Sequence, residues 1–91
     1  MFAILNIWFG IHCVLWFIAV MFKLANRLRV ARAEKRLTQE DLARMAGVTR
    51  QTIGAIENEQ YCPSALLAFV LAEQLEKPVA ELFYLDKQEE P

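Results

Sequence analysis

Hydrophobic positions recur at helical spacing along the chain from Lys23 onward. Apolar residues three or four positions apart predict helices that bury one face. This pattern predicts five helices, over 24–35, 39–46 and 50–57, then from Pro63 and Ser64, and from Pro78. No run alternates between apolar and polar residues, so the sequence predicts no strand, and the polar residues 84–91 are expected to fray.

Local signals set the boundaries of the second and third predicted helices. Thr38 is a good N-cap, and Asp41 three residues later completes a capping box. Gly47 can adopt the left-handed conformation that ends a helix, and Thr49 can cap the next one. The residues expected to face the core are Leu24, Leu28, Ala31, Leu37, Leu42, Ala43, Ala46, Ile53, Ile56, Leu67, Val70, Leu71, Leu75, Val79, Leu82 and Phe83.

The first 22 residues differ from the rest because they contain no charged side chain. About 21 helical residues extend about 32 Å, enough to cross the hydrocarbon core of a bilayer. The predicted fold class is therefore an all-α, five-helix domain over 23–83, preceded by an N-terminal apolar transmembrane helix over 1–22. Two alternatives remain open: an apolar helix buried in a dimer, and an extension created by start-site choice, since Met21 would open a sensible N-terminus.

Six basic residues and one acidic residue lie between Lys23 and Arg36. If 1–22 spans the inner membrane, the positive-inside tendency keeps the rest of the chain in the cytoplasm. Cys13 and Cys62 are expected to be separate thiols, as suits a reducing compartment. His12 next to Cys13 has no third ligand in view, so no metal or other cofactor is expected.

Charge is distributed unevenly along a chain whose formal net charge is −1. Residues 21–60 carry eight Lys and Arg against five Asp and Glu, whereas residues 61–91 carry two against six. The first region therefore suits an anionic partner. The only histidine lies in the apolar run, and no nucleophile with a base or phosphate-cradling glycine loop is present, so an enzyme is not expected.

The stretch "DLARMAGVTRQTIGAIE", residues 41–57, predicts two helices joined by a short turn with glycine in it. This is the form of the helix-turn-helix unit, whose second helix enters the DNA major groove. That helix opens with Thr49, Arg50, Gln51 and Thr52, all of which carry hydrogen-bonding side chains. Because base edges are recognised by hydrogen bonds, this opening is the predicted DNA-reading surface.

Residues 26–83 resemble the Xre-type family of regulators, similar to lambda repressor and Cro proteins. The resemblance rests on "LTQEDLA" leading into "GVTRQTI", then "IEN", then a Pro-Ser start to the fourth helix. It implies a sequence-specific DNA-binding transcriptional regulator that binds double-stranded DNA as a homodimer on a palindromic operator. Alternatives left open are an antitoxin that also masks a toxin, and a small membrane protein whose helical domain binds a protein.

The resemblance assigns roles by position. It implies DNA contacts from Gln39, Thr49, Arg50, Gln51, Thr52, Ala55 and Asn58, with Arg50 and Gln51 as the candidates for base edges. It implies a structural salt bridge between Arg32 and Glu57. Arg27, Arg29 and Arg36 are expected to attract phosphates or lipid headgroups diffusely. Two residues depart from the family pattern: Gly54 within the recognition helix, and Glu59 after "IEN", where the loop is expected to turn at Asn58 instead.

Overall fold

The computed structural model describes Ile18 and residues 21–87. This part of the chain contains two strands and five helices of three or more residues. In chain order they are β1 (Phe22–Asn26), α1 (Leu28–Glu34), α2 (Gln39–Ala46), α3 (Arg50–Glu57), α4 (Ala65–Gln74), α5 (Val79–Leu82) and β2 (Phe83–Lys87). Residues Leu24–Tyr84 form one compact unit, and this unit carries the candidate site.

Helices α2, α3 and α4 begin at side chains that satisfy their first amides. The Thr38 hydroxyl accepts from the Asp41 amide at 3.0 Å, and the Asp41 carboxylate accepts from the Thr38 amide at 3.0 Å, which is a complete capping box. Thr49 and Ser64 cap α3 and α4 in the same way through their hydroxyls. The sequence therefore determined where these helices begin.

The core is built from aliphatic residues of every helix. Its fully buried members are Leu28, Leu42, Ile53, Ile56, Leu71, Leu75 and Leu82. Helix α4 differs from expectation because Ala68 and Ala72 are buried with Leu71 and Leu75, while Leu67 and Val70 are only half-buried. Small residues on the inner face of α4 let it approach the core closely and leave larger residues outside.

The prediction of a chain without strands is wrong. Residues Phe22–Asn26 and Phe83–Lys87 are hydrogen-bonded neighbours in a two-stranded sheet. Next to them the Arg27 amide donates to the Leu82 carbonyl at 2.8 Å, and both Ala25 and Phe83 are buried. Helix α1 consequently begins at Leu28 instead of 24, and residues 84–87 continue β2 where a frayed tail was expected.

The predicted fold class, all-α with a leading transmembrane helix, is therefore corrected to a small helical domain with a two-stranded sheet. In the described part of the chain, no helix has both the length and the apolar character needed to cross a membrane. Phe22, expected in the transmembrane helix, begins β1 instead. Residues 1–17, including His12 and Cys13, lie outside the described residues, whereas Cys62 is an exposed free thiol.

Candidate nucleic-acid interface

The corner between α2 and α3 is short and stiff. Gly47 ends α2 with φ 74°, a left-handed conformation that glycine adopts without steric cost, and the Val48 amide donates back to the Ala43 carbonyl at 2.9 Å. Leu42 on α2 and Ile53 on α3 are fully buried and fix the packing of the two helices. The first turn of α3 is thereby held on the surface by a buried opposite face.

That first turn exposes the side chains predicted to meet DNA. Arg50 and Gln51 are exposed, and Thr52 is half-buried. The Thr49 hydroxyl accepts from the Thr52 amide at 3.2 Å and lies 2.9 Å from the Thr52 hydroxyl, so Thr49 acts first as the helix cap. Arg50 and Gln51 thus present the principal donors at the front of α3.

Arg50 also borders a shallow surface depression at the start of α2. Its other lining residues include Arg32, Arg36, Thr38, Gln39 and the acidic Glu40. The first amides of α2 lie here, and a helix N-terminus favours anions. Arg36 and Arg50 therefore border the helix start that the sequence assigned to a phosphate, together with the carboxylate of Glu40.

A single carboxylate, that of Glu57, joins three helices behind this surface. The Glu57 side chain is 0% exposed, and the Arg32 side chain is 16% exposed. Arg32 donates from Nε to Oε2 at 2.8 Å and from Nη2 to Oε1 at 3.2 Å. Arg32 Nη1 also donates to the Leu37 carbonyl at 2.8 Å. Arg32 and Glu57 therefore form the structural ion pair that the family resemblance implied, and the pair links α1 to the last residue of α3.

Two further side chains donate to the same carboxylate. Gln39 Nε2 lies 3.1 Å from Glu57 Oε1, and Arg29 Nε lies 3.4 Å from the same oxygen. Burial would raise the pKa of Glu57, but hydrogen bonds from Arg32 and Gln39, the charge of Arg32 and a hydrogen bond from Arg29 together hold that pKa below its ordinary value. Glu57 is consequently ionised at neutral pH.

Gln39 and Asn58 are both engaged within the protein. Gln39 donates one amide N–H to Glu57, and its second N–H can donate to a phosphate. Asn58 accepts from Arg29 Nη2 at 3.1 Å through Oδ1, which leaves its own amide nitrogen to donate outward. In both residues the hydrogen bond within the protein orients the side chain that the sequence assigned to DNA.

Arg29 is the residue whose position sequence reasoning missed. It was expected to attract phosphates diffusely, yet it contacts both Glu57 and Asn58 at the C-terminal end of α3. Its spacing of three from Arg32 places both on one face of α1, which is the signal that could have located it. Arg27 lies apart from this group, with its guanidinium 5.7 Å from the centre of the Tyr84 ring.

Three positions around α3 complete the surface. Ala55 is half-buried and offers only a methyl group. A Cβ added at Gly54 would lie 3.8 Å from both amide atoms of the Gln39 side chain, which is ordinary van der Waals contact. Glu59, with φ 61°, adopts the left-handed conformation itself, whereas Asn58 has φ −87°. The expectation that the loop turns at Asn58 is therefore wrong.

Comparison with known proteins identifies the family. A sequence model described as helix-turn-helix matches residues 28–82. An uncharacterized HTH-type transcriptional regulator of Methanocaldococcus jannaschii is 45% identical over 64 residues, covering 70% of this chain and 97% of that protein. The HTH-type regulator YgzD of Bacillus subtilis is 36% identical over 63 residues, covering 69% and 96%.

Solved structures agree with the sequence matches. The restriction-modification controller protein C.AhdI of Aeromonas hydrophila superposes with a TM-score of 0.58 at 36% identity, covering 60% of this chain and 80% of that one. A candidate DNA-binding protein from Bacteroides fragilis gives a TM-score of 0.63 at 30% identity, covering 67% and 98%. The resemblance inferred from the motifs is thereby confirmed.

Proposed function

Because the chain belongs to the helix-turn-helix family of transcriptional regulators, we propose that it binds operator DNA in a sequence-specific way, with α3 in the major groove. The observation that carries this proposal is the exposure of Arg50 and Gln51 on a helix whose other face is anchored by Ile53 and Ile56. Such a helix can present donors and acceptors to base edges without disturbing its own packing. A DNA partner implies that this domain acts in the cytoplasm.

Each exposed side chain has a role that suits its chemistry. Arg50 can donate two hydrogen bonds to the N7 and O6 acceptors of guanine, and Gln51 matches the acceptor-donor pair of adenine. Thr49 and Thr52 offer a hydroxyl to phosphate or a methyl group to thymine. Ala55 can offer only an apolar contact, one turn along α3.

Phosphate contacts would flank these base contacts. Gln39 and Asn58 would donate to phosphates, and each is held by a hydrogen bond within the protein. Phosphate contacts fix the register of a protein on the duplex, and base contacts select the sequence. Several phosphate contacts would also make the affinity fall steeply as salt rises.

We further propose that two copies bind a palindromic site. One small module buries too little DNA surface for tight specific binding, and helix-turn-helix dimers place their recognition helices about 34 Å apart, or a multiple of it, on the duplex. The operator would therefore contain two inverted half-sites.

A test begins with selection of bound sequences from a random DNA pool, which should yield one consensus. We predict that Arg50→Ala relaxes the preference at one base pair at a cost of about 1–3 kcal/mol. Arg44→Ala is the matched control because Arg44 is also an exposed arginine, lies on α2 and pairs with Asp41 at 3.8 Å. Equal loss for Arg50→Ala on every DNA sequence would remove its base-reading role, and an unenriched pool would contradict sequence-specific binding.

A further inference from the structure

Arg29 contacts two consecutive residues at the C-terminal end of α3. Its Nη2 lies 3.1 Å from Asn58 Oδ1, and its Nε lies 3.4 Å from Glu57 Oε1. Because both donors belong to one planar guanidinium, the two contacts together fix the orientation of that group. The Arg29 side chain is 63% exposed, so the guanidinium lies at the protein surface, where a ligand can reach Asn58 beside it.

The buried carboxylate of Glu57 has its main partner without Arg29. Arg32 donates two hydrogen bonds to it, at 2.8 and 3.2 Å, and the Arg32 side chain is only 16% exposed. The hydrogen bond from Arg29, at 3.4 Å, is longer than either. The shorter contact of Arg29 is the one with Asn58, so its effect on Asn58 is the more informative of the two.

The backbone of Asn58 is fixed by the helix end, but its side-chain amide is not. Asn58 is the C-cap of α3, with φ −87°, and its backbone amide donates to the Gly54 carbonyl at 3.0 Å. The residue is exposed, and a side-chain amide can turn either its oxygen or its nitrogen outward. A phosphate oxygen accepts hydrogen bonds, so it can bind only the nitrogen.

We propose that Arg29 is a positioning residue for DNA binding, which holds Asn58 with its oxygen inward and its nitrogen toward a backbone phosphate. A guanidinium has donors and no acceptor, so the atom of Asn58 that faces Arg29 must be the oxygen. Arg29 thereby selects the one orientation of the amide that can donate to a phosphate. This inference rests on the proposed function, because it concerns how the same surface holds the DNA backbone.

The role of Arg29 predicts a non-additive pair of substitutions. Arg29→Ala leaves Asn58 in place but frees its amide, so the dissociation constant for DNA should rise about fivefold. Asn58→Ala removes the donor itself, so that constant should rise about tenfold. Because Arg29 acts through Asn58, the double variant should bind about as well as Asn58→Ala alone, instead of roughly fiftyfold more weakly than wild type.

The experiment measures dissociation constants of the full chain by fluorescence anisotropy at one salt concentration. One short duplex carries a half-site of the most enriched sequence, and a second carries the same bases in scrambled order. Phosphate contacts carry no sequence information, so each variant should weaken both complexes by the same factor. If Arg29 only supported the fold of α3, its loss would weaken the half-site complex more than the scrambled one.

Arg44→Ala is the control for the loss of a positive charge, because the Arg44 side chain is 73% exposed and pairs with Asp41 at 3.8 Å on α2. In the Asn58→Ala background, Arg29→Ala should cost no more affinity than Arg44→Ala does. Equal losses from Arg29→Ala with and without Asn58 would show that Arg29 acts on DNA independently of Asn58. That result would overturn the proposal.

Asn58→Asp tests the orientation of the amide with little change in shape. Aspartate keeps an oxygen that accepts from Arg29, but it replaces the amide nitrogen with a second, negatively charged oxygen. This oxygen would repel a phosphate, so Asn58→Asp should bind both duplexes more weakly than Asn58→Ala does. Affinity equal to or above that of Asn58→Ala would overturn the proposal, because the nitrogen would then not face the duplex.

The same measurements separate this inference from the proposed function. If wild type prefers the half-site but the losses at 29 and 58 multiply, the proposed function stands and the positioning role of Arg29 fails. If wild type binds both duplexes equally and the losses do not multiply, Arg29 positions Asn58 on the DNA backbone, and sequence-specific recognition fails.

Discussion

The carboxylate of Glu57 holds more of this interface in place than any of the side chains proposed to touch DNA. It accepts from Arg32 on α1, from Gln39 at the start of α2 and from Arg29, so three helices meet at one charged group. The Arg32–Glu57 pair was implied by the family resemblance. The contacts of Gln39 and Arg29 with Glu57 were not implied, because a sequence alone does not show which polar side chains converge on a buried oxygen.

We predict that Arg32→Ala lowers the free energy of unfolding by about 3 kcal/mol, because it leaves the carboxylate of Glu57 buried without its main partner. Arg44→Ala serves as the control, since the exposed Arg44–Asp41 pair should contribute less than about 1 kcal/mol. Urea unfolding of both variants measures the difference. Equal costs for the two variants would show that the buried pair contributes no more than a surface pair.

The lowered pKa of Glu57 predicts a specific dependence of stability on pH. A carboxyl group whose pKa is lower in the folded state contributes stability above its unfolded pKa, near 4.5, and loses that contribution as pH falls through the folded value. The free energy of unfolding should therefore fall from about pH 5 downward. In Glu57→Gln, which has no group to titrate there, the fall should be smaller.

Urea midpoints measured at successive pH values for wild type and Glu57→Gln would isolate this contribution. Asp41 also has a lowered pKa, because hydrogen bonds with the backbone amide and the side chain of Thr38 favour its charged form. Both proteins contain Asp41. Its effect therefore cancels in the difference between the two curves. Parallel curves would exclude Glu57 as the source of the acid sensitivity.

Helices α2 and α3 were predictable to the residue, whereas the orientation of α4 was not. Thr38, Gly47 and Thr49 act locally, so the sequence alone contains the signals that begin and end α2 and begin α3. Helix α4 is apolar on all sides, and periodicity cannot choose the inner face of such a helix. In the folded domain the face with Ala68 and Ala72 packs against the core, and Phe69 is therefore exposed.

The two glycines among the described residues give opposite predictions for the same substitution. Gly54→Ala should raise the free energy of unfolding by about 0.5–1 kcal/mol, because alanine favours helix and its Cβ would lie 3.8 Å from the Gln39 amide. Gly47→Ala should lower it by about 1 kcal/mol or more, because φ 74° strains a residue with a Cβ.

Thermal or urea unfolding of the two glycine variants provides the comparison, and each variant is the control for the other. Nothing lies within 4 Å of a Cβ at Gly47, so its cost would come from the backbone alone. A destabilised Gly54→Ala protein would mean that the Gln39 side chain needs the space that glycine leaves.

Strands near both ends of the described chain complete the domain. Their burial patterns explain why the sequence did not predict them: Ala25 is the one buried residue of β1 and Phe83 the one buried residue of β2, so neither strand shows alternation. Only the pairing of residues about sixty positions apart makes them strands. Long-range pairing of this kind leaves almost no local signal.

We predict that Phe83→Ala lowers the free energy of unfolding by about 3 kcal/mol, because Phe83 is buried against the helical core. Leu85→Ala, two residues further along β2 and exposed, should change it by less than about 0.5 kcal/mol. Urea unfolding at neutral pH distinguishes them. A small effect at Phe83 would mean that the end of β2 is dispensable to the core.

The side chains that would recognise bases contribute little to the fold that presents them. Arg50 and Gln51 point away from a helix anchored by Ile53, Ile56 and Glu57. New amino acids at 50 and 51 could therefore accumulate without unfolding the protein. A lineage carrying this scaffold could acquire different target genes through changes at two adjacent codons while its architecture stays constant.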